Sequence, residues 1–265
     1  MTEEEIRQDN PWIKIAERMS QDPSHCLFDA TNAFIAPEDS DKLMSNNVPP
    51  SEYDLVTSIP PEPWQGNPLT ARLIILTLNP GYIEQQNHIL AERIQNMPNI
   101  VDSIAKFKAE TLLLYSRSFL PDEPEEVDGL TAADYINIIG DWYWYKKFTP
   151  LFEFVPEKEF FQKVAIIQYL PYTSKSYKEK TYDGIKSMKY SQTLLKYILE
   201  NRKNVTVLVL RAKSKWEKII KNTKKDDSNI VIYNSHRCQS ISENNLKDNN
   251  FNIIKKALLC KTSQQ

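Results

Sequence analysis

Short continuous apolar runs and longer periodic ones take turns along this chain. Four runs rich in apolar and β-branched residues stand at 71–77 (ARLIILT), 164–168 (VAIIQ), 205–210 (VTVLVL) and 230–233 (IVIY), each flanked by polar or turn-forming residues. Short runs without polar alternation predict strands buried on both faces. Between them the spacing changes. Residues 99–120 carry Ile100, Ile104, Phe107, Leu112 and Leu113; residues 191–201 carry Leu194, Leu195, Ile198 and Leu199; residues 213–221 carry Trp216, Ile219 and Ile220. These sets recur every three or four positions and predict helices with one apolar face.

Strands separated by helical stretches need crossover connections, which predicts an α/β fold: a three-layer α/β/α sandwich around a central four-stranded, mostly parallel sheet. The whole chain, 1–265, reads as one such domain. Residues 1–60 form an N-terminal helical and proline-rich extension, and residues 85–160 a helical and aromatic insertion. Within the insertion, DWYWYKKFTPLF (141–152) reads as core or lid rather than as a stacking platform. In open α/β sheets, functional groups collect at the carboxyl ends of the strands. The first, second and fourth strands end in LNPGY, QYLPYTSKS and NSHRCQSIS, three polar endings expected to meet in one crevice.

Composition narrows the chemistry. At 265 residues, 41% hydrophobic and 26% charged, the chain can bury a sizeable core. It has 5 glycines against 16 prolines and contains neither GxGxxG nor GxxxxGK[ST]. A dinucleotide or P-loop site would lack its backbone cradle, and no cofactor is expected. Cys26, Cys238 and Cys260 form no CxxC, and there are only 3 histidines, so no metal is expected and a reduced, cytoplasmic compartment fits. The acidic start MTEEEIRQDNPW does not read as a signal peptide, and no apolar run is long enough to span a membrane.

The net charge of −2 conceals an asymmetry: residues 161–265 hold 21 Lys and Arg against 8 Asp and Glu, residues 1–160 hold 12 against 27. An anionic partner for the second half is one reading, and two solvated faces that neutralise each other is the other.

The order of the strand-end motifs resembles that of the uracil-DNA glycosylase superfamily, over roughly residues 60–245. LTLNPG looks like the first catalytic motif of the mismatch-specific and single-strand-selective branches. VAIIQYLPY sits where the second strand delivers a base-reading amide, and VIYNSHRCQSIS where the family carries its His/Asn-Pro-Ser loop. The resemblance implies a monofunctional DNA glycosylase that flips out a pyrimidine, hydrolyses its N-glycosidic bond and leaves an abasic site. Such a site must hold a water near the anomeric carbon and supply donors where negative charge develops on the departing base.

Carried over residue by residue, the resemblance makes Asn79 the group that positions the water; the unrelated reading is an Asx turn. Glu84 is a nearby carboxylate. Pro80, Gly81, Tyr82, Gln168 and Tyr172 would form the base pocket. Either Asn234 or His236 would donate to the base, depending on the register of the last loop. Ser174, Lys175, Lys178, Ser235, Arg237 and Ser240 would contact DNA, and Ile241 would be the apolar wedge.

Three positions depart from the family pattern: glycine precedes a displaced Tyr82, glutamine replaces the usual asparagine at 168, and the last loop lacks its proline. Gly81 implies room for a C5 substituent, and so a modified pyrimidine, or a hypermodified phage base such as glucosylated hydroxymethylcytosine removed in anti-phage defence. The expected partner is DNA, single- or double-stranded. Two other readings stay open: a non-catalytic binder of damaged or modified DNA, and a hydrolase of free nucleosides or nucleotides.

Overall fold

Successive residues of a strand face opposite ways, and here both faces are covered. Leu73 and Ile75 share one apolar cluster with Val164, Ile166 and Leu208, whereas Ile74 and Leu76 share another with Ala165, Ile167, Val207 and Val209. In the computed structural model, residues 1–23, 34–44, 55–81, 98–116, 118–119, 142–174, 177, 182, 184–223, 229–233, 240–246 and 249–259 are described.

The central sheet has five strands, ordered β2 (Trp64–Gln65), β4 (Val164–Gln168), β3 (Leu73–Thr77), β6 (Thr206–Val209), β7 (Ile230–Ile232). The four expected strands are present and mutually parallel, with Thr77 opposite Gln168 and Leu76 opposite both Ile167 and Val209. The fifth, β2, lies antiparallel on β4 with Trp64 opposite Ile167. It enlarges the expected four-stranded sheet. Two residues inside a proline-rich segment carry no period to read, and prolines are tolerated there because the strand is at the edge.

Helices cover both faces, giving a mixed α/β architecture. One face carries α1 (Glu3–Gln8), α2 (Ile13–Gln21), α4 (Pro98–Leu112), α7 (Ser187–Asn201) and α8 (Lys213–Ile220), following the four-residue α3 (Ser40–Leu43) in the count. The other carries α5 (Trp142–Phe148), α6 (Glu157–Lys163) and α9 (Asn250–Leu259). Trp144, Phe148 and Leu151 of the aromatic insertion are buried, so this stretch is core. The central residues Leu73, Ile74, Ile75 and Leu76 are all 0% exposed. Truncating any of them to alanine removes transfer energy and opens a cavity, at about 2–5 kcal/mol.

Helix α4 stops short of the expected residue 120 because its end is held from outside. Leu114 takes φ 62°, a conformation that usually selects glycine. The carbonyls around it are occupied: Asn10 donates to Leu112, Arg7 to Leu113 and Leu114, and Asn67 to Leu114 and Ser116.

Candidate active site

The parallel strands run β4, β3, β6, β7, so the chain moves outward in one direction from β3 to β4 and in the other from β6 to β7. The reversal falls between β3 and β6, the position at which open α/β sheets usually bind ligands at the strands' carboxyl ends. The chain leaving β3 is pinned there. Thr77 O accepts from the Tyr169 backbone (3.2 Å) and from Trp216 Nε1 (2.8 Å), and Leu78 O accepts from the Leu170 backbone (2.7 Å). Trp216 is fully buried, and Tyr169 meets it edge-on at 5.3 Å.

Beyond the sheet, a smaller unit ties the loops together. β1 (Leu55–Val56) pairs antiparallel with β5 (Thr173–Ser174), and Ser174 makes a parallel bridge to Gly81. The turn after β3, the loop after β4 and the segment before β2 are thus hydrogen-bonded to one another.

Asn79 is half-buried on this edge. Its Nδ2 donates to Pro80 O (2.8 Å) and to Ser174 Oγ (2.8 Å). A carbonyl oxygen can only accept, so the nitrogen end of the amide must face Pro80, and both of its hydrogens are used. This is not the Asx-turn bond, in which Oδ1 would accept from a backbone N–H two residues on; here the amide donates into the turn through Nδ2, and the acceptor Oδ1 is left at its other end. No described residue donates to that oxygen. Gly81 is exposed, and a Cβ built on it would meet nothing within 4 Å.

Gln168 lies one strand over, 2% exposed, and its Oε1 accepts a short hydrogen bond from the Thr77 hydroxyl. The donor Nε2 and the second lone pair of Oε1 remain of its hydrogen-bonding capacity. Thr77 orients this amide, a role that the sequence signals only by its place at the end of a buried strand.

Other expected site residues are placed differently. Tyr172 is 0% exposed, packed edge-on against Trp12; its hydroxyl donates to Asp39 Oδ2 (2.8 Å) and accepts from the Ala36 backbone (3.0 Å). Burial, then the adjacent Asp39 carboxylate, pushes the Tyr172 phenol well above its ordinary value. It is a structural tie, since its ring and hydroxyl are both engaged with protein. Ser174, expected to contact DNA, is 2% exposed and accepts from Asn79. Ile241 is 0% exposed, in the cluster with Leu246 and Phe251, and has no surface to offer a base stack. Ser240 is half-buried, accepting at its carbonyl from Asn245 (2.8 Å).

Tyr82, Glu84, Lys175, Lys178, Asn234, Ser235, His236 and Arg237 lie outside the described residues. Lys215 at the start of α8 sits over the rings of Tyr169 (5.3 Å), which follows β4, and Tyr177 (5.5 Å). Lys213 and Lys218 are exposed on the same helix. A separate cleft of about 490 Å³, counting its open mouth, runs beside β2 between Pro60, Trp64, Phe107 and Phe119, and none of the expected site residues line it.

Among the described residues, no group of three or more His, Cys, Asp or Glu side chains could hold a metal ion. Among them, too, no helix is long and apolar enough to cross a membrane. No family model, curated protein or solved structure matches the chain.

Proposed function

We propose that the protein is a DNA glycosylase that extrudes a pyrimidine, with room for a C5 substituent, and hydrolyses its N-glycosidic bond. The observation that carries this reading is the locked amide of Asn79. Both its N–H donors are used on Pro80 and Ser174, leaving Oδ1 as an acceptor just beyond the carboxyl end of β3.

In this mechanism a water donates a hydrogen bond to Asn79 Oδ1 and turns its lone pair toward the anomeric carbon. The bond from that carbon to the base nitrogen breaks, its electron pair leaving with the base. The water oxygen bonds to the sugar, and its proton passes to solvent. Asparagine has no basic lone pair at neutral pH, so it orients the water rather than deprotonating it. The barrier falls chiefly through stabilisation of the departing anion. Gln168 Nε2 is a donor suited to a base carbonyl, and the open space at Gly81 accommodates a substituent. The basic second half of the chain suits the phosphate backbone, with an affinity that falls steeply as salt rises.

The same fold could bind modified DNA without cleaving it. That second reading is favoured by one observation: the two hydrogen-bonded pairs at these strand ends, Thr77–Gln168 and Asn79–Ser174, contain no ionisable side chain.

The test is incubation with duplex and single-stranded DNA containing uracil, hydroxymethylcytosine or its glucosylated form, followed by alkaline cleavage at abasic sites. Base release is expected, and Asn79→Ala is expected to lower its rate about a hundredfold or more. Tight, salt-sensitive binding with no strand scission on any of these DNAs, unchanged in Asn79→Ala, selects the non-catalytic reading instead.

A further inference from the structure

We propose that Ser174 is the positioning residue of Asn79, its buried hydroxyl fixing the plane of the amide and with it the direction in which Oδ1 points. The effect on rate rests on the glycosylase reading; the geometry stands apart from it.

The need for such a residue follows from the side chain itself. The terminal torsion of asparagine is broad and roughly two-fold, so an amide left alone samples many planes. Pro80 O decides which end of the amide faces the turn, because it can only accept. One contact leaves rotation about that contact open. A second acceptor on the same nitrogen, Ser174 Oγ at 2.8 Å, closes it, since two hydrogens in fixed directions define the amide plane.

Ser174 is equipped for this. It is 2% exposed. Its backbone N–H donates to the same Pro80 carbonyl (3.2 Å), and its chain pairs with Leu55 on one side and bridges Gly81 on the other. Two separate segments, residues 55–56 and 80–81, therefore hold one hydroxyl against one amide. Accepting from Asn79 leaves Ser174 its own proton, which it can donate to a water or substrate atom beside the amide. An exposed serine touching phosphate would have none of these constraints.

Removing the hydroxyl should leave binding intact and loosen the attack geometry, where misplacement by about 1 Å costs up to a hundredfold. Three measurements on the full chain test this in Ser174→Ala and Ser174→Thr. They are the single-turnover rate of base release, DNA affinity by anisotropy, and solvent exchange of the Asn79 side-chain amide by NMR, assigned through its loss in Asn79→Asp. Ser174→Ala is expected to release base about ten- to a hundredfold more slowly. Its DNA affinity stays as in the wild type and its Asn79 amide protons exchange faster. Ser174→Thr restores both the rate and the slow exchange.

Weakened, less salt-dependent DNA binding at an unchanged rate in Ser174→Ala overturns the inference in favour of a phosphate contact. An unchanged rate with unchanged amide exchange also overturns it. Should the wild type release no base from any DNA, the glycosylase reading falls alone. The exchange of the Asn79 amide in Ser174→Ala then decides the positioning role by itself, faster exchange upholding it and unchanged exchange overturning it.

Discussion

Tyr172→Phe isolates a tie that supports the crevice from behind. The substitution keeps the ring against Trp12 and removes only the hydroxyl, which donates to Asp39 at 2.8 Å and accepts from the Ala36 backbone at 3.0 Å. Asp39 is 0% exposed and keeps two further bonds, from the backbone N–H groups of Lys186 (2.6 Å) and Ser187 (3.1 Å) at the start of α7. The variant therefore loses a hydrogen bond to a buried carboxylate, about 1.5–3 kcal/mol, and leaves a buried N–H unpaired at about 1–3 kcal/mol more. No cavity larger than an oxygen opens. A net loss of about 3 kcal/mol is expected near pH 7.5 by urea denaturation.

The pH dependence provides an internal check. The folded phenol keeps its proton well above the ordinary range, because it is buried and its ionised form would lie beside the Asp39 carboxylate. In the unfolded chain it ionises near pH 10. Above that pH the unfolded state binds fewer protons than the folded one, so this group's stabilising contribution, fully present below about pH 10, is lost as pH rises. The slope approaches about 1.4 kcal/mol per pH unit. Phenylalanine has no such proton, so the gap between wild type and variant should narrow by roughly that amount between pH 10 and 11. A gap below about 1 kcal/mol at pH 7.5, or one that widens above pH 10, would refute the assignment of Tyr172 as a buried donor to Asp39.

Two further substitutions probe the crevice and its scaffold. Gly81→Tyr places a ring where nothing lies within 4 Å of the new Cβ; it should leave the melting temperature unchanged and slow release of C5-substituted bases at least about tenfold more than release of uracil. Equal slowing on both would show that the ring does not occupy the space beside C5. Gly66 has φ +68°, and a Cβ there would lie 2.4 Å from Val164 O. Gly66→Ala should therefore cost about 2 kcal/mol or more in thermal or urea unfolding, through the left-handed penalty and displacement of the β2 edge. An unchanged melting temperature counts against that close approach.

The parts of the fold legible in the sequence are those where one interaction repeats. Leu73 to Thr77 and Val164 to Gln168 read as strands because every position is buried, so hydrophobic identity alone carries the message. Helix α7 reads from Leu194, Leu195, Ile198 and Leu199, all buried as their spacing requires. The two-residue strands β1, β2 and β5 do not, because two positions hold no period. Their existence depends on pairing with chain more than a hundred residues away. The site divides in the same way. That Asn79 stands at a strand end is a local fact and was readable. That Ser174 holds it across 95 positions is not, since beside Lys175 the serine reads equally as a phosphate contact. Ile241 and Tyr172 fail as expected for another reason. An isoleucine wedge and an isoleucine anchor have identical side chains, as do a stacking tyrosine and a buried donor, and only their packed neighbours distinguish them: Phe251 for the one, and Asp39, remote in sequence, for the other.

The N-terminal extension belongs to the site's mechanics. A loop leaving the carboxyl end of a strand has no ladder to satisfy its backbone, yet a group that orients water must be held to a fraction of an ångström. Here the missing partners come from before β2. Leu55 and Val56 pair with β5, Pro171 O accepts from Glu62 N (2.9 Å), and Asp39 joins Tyr172 to the start of α7. The Tyr172 ring is itself backed by Trp12, between α1 and α2. Each tie restrains residues 171–174, and that short stretch restrains Asn79 through Ser174. A motif as common as Asn-Pro-Gly can act as a precise device only when such a buttress surrounds it. On the proposed glycosylase reading, the motif and the positions of Asp39, Leu55 and Trp12 serve one requirement: to keep a neutral amide in one plane without any charge to anchor it.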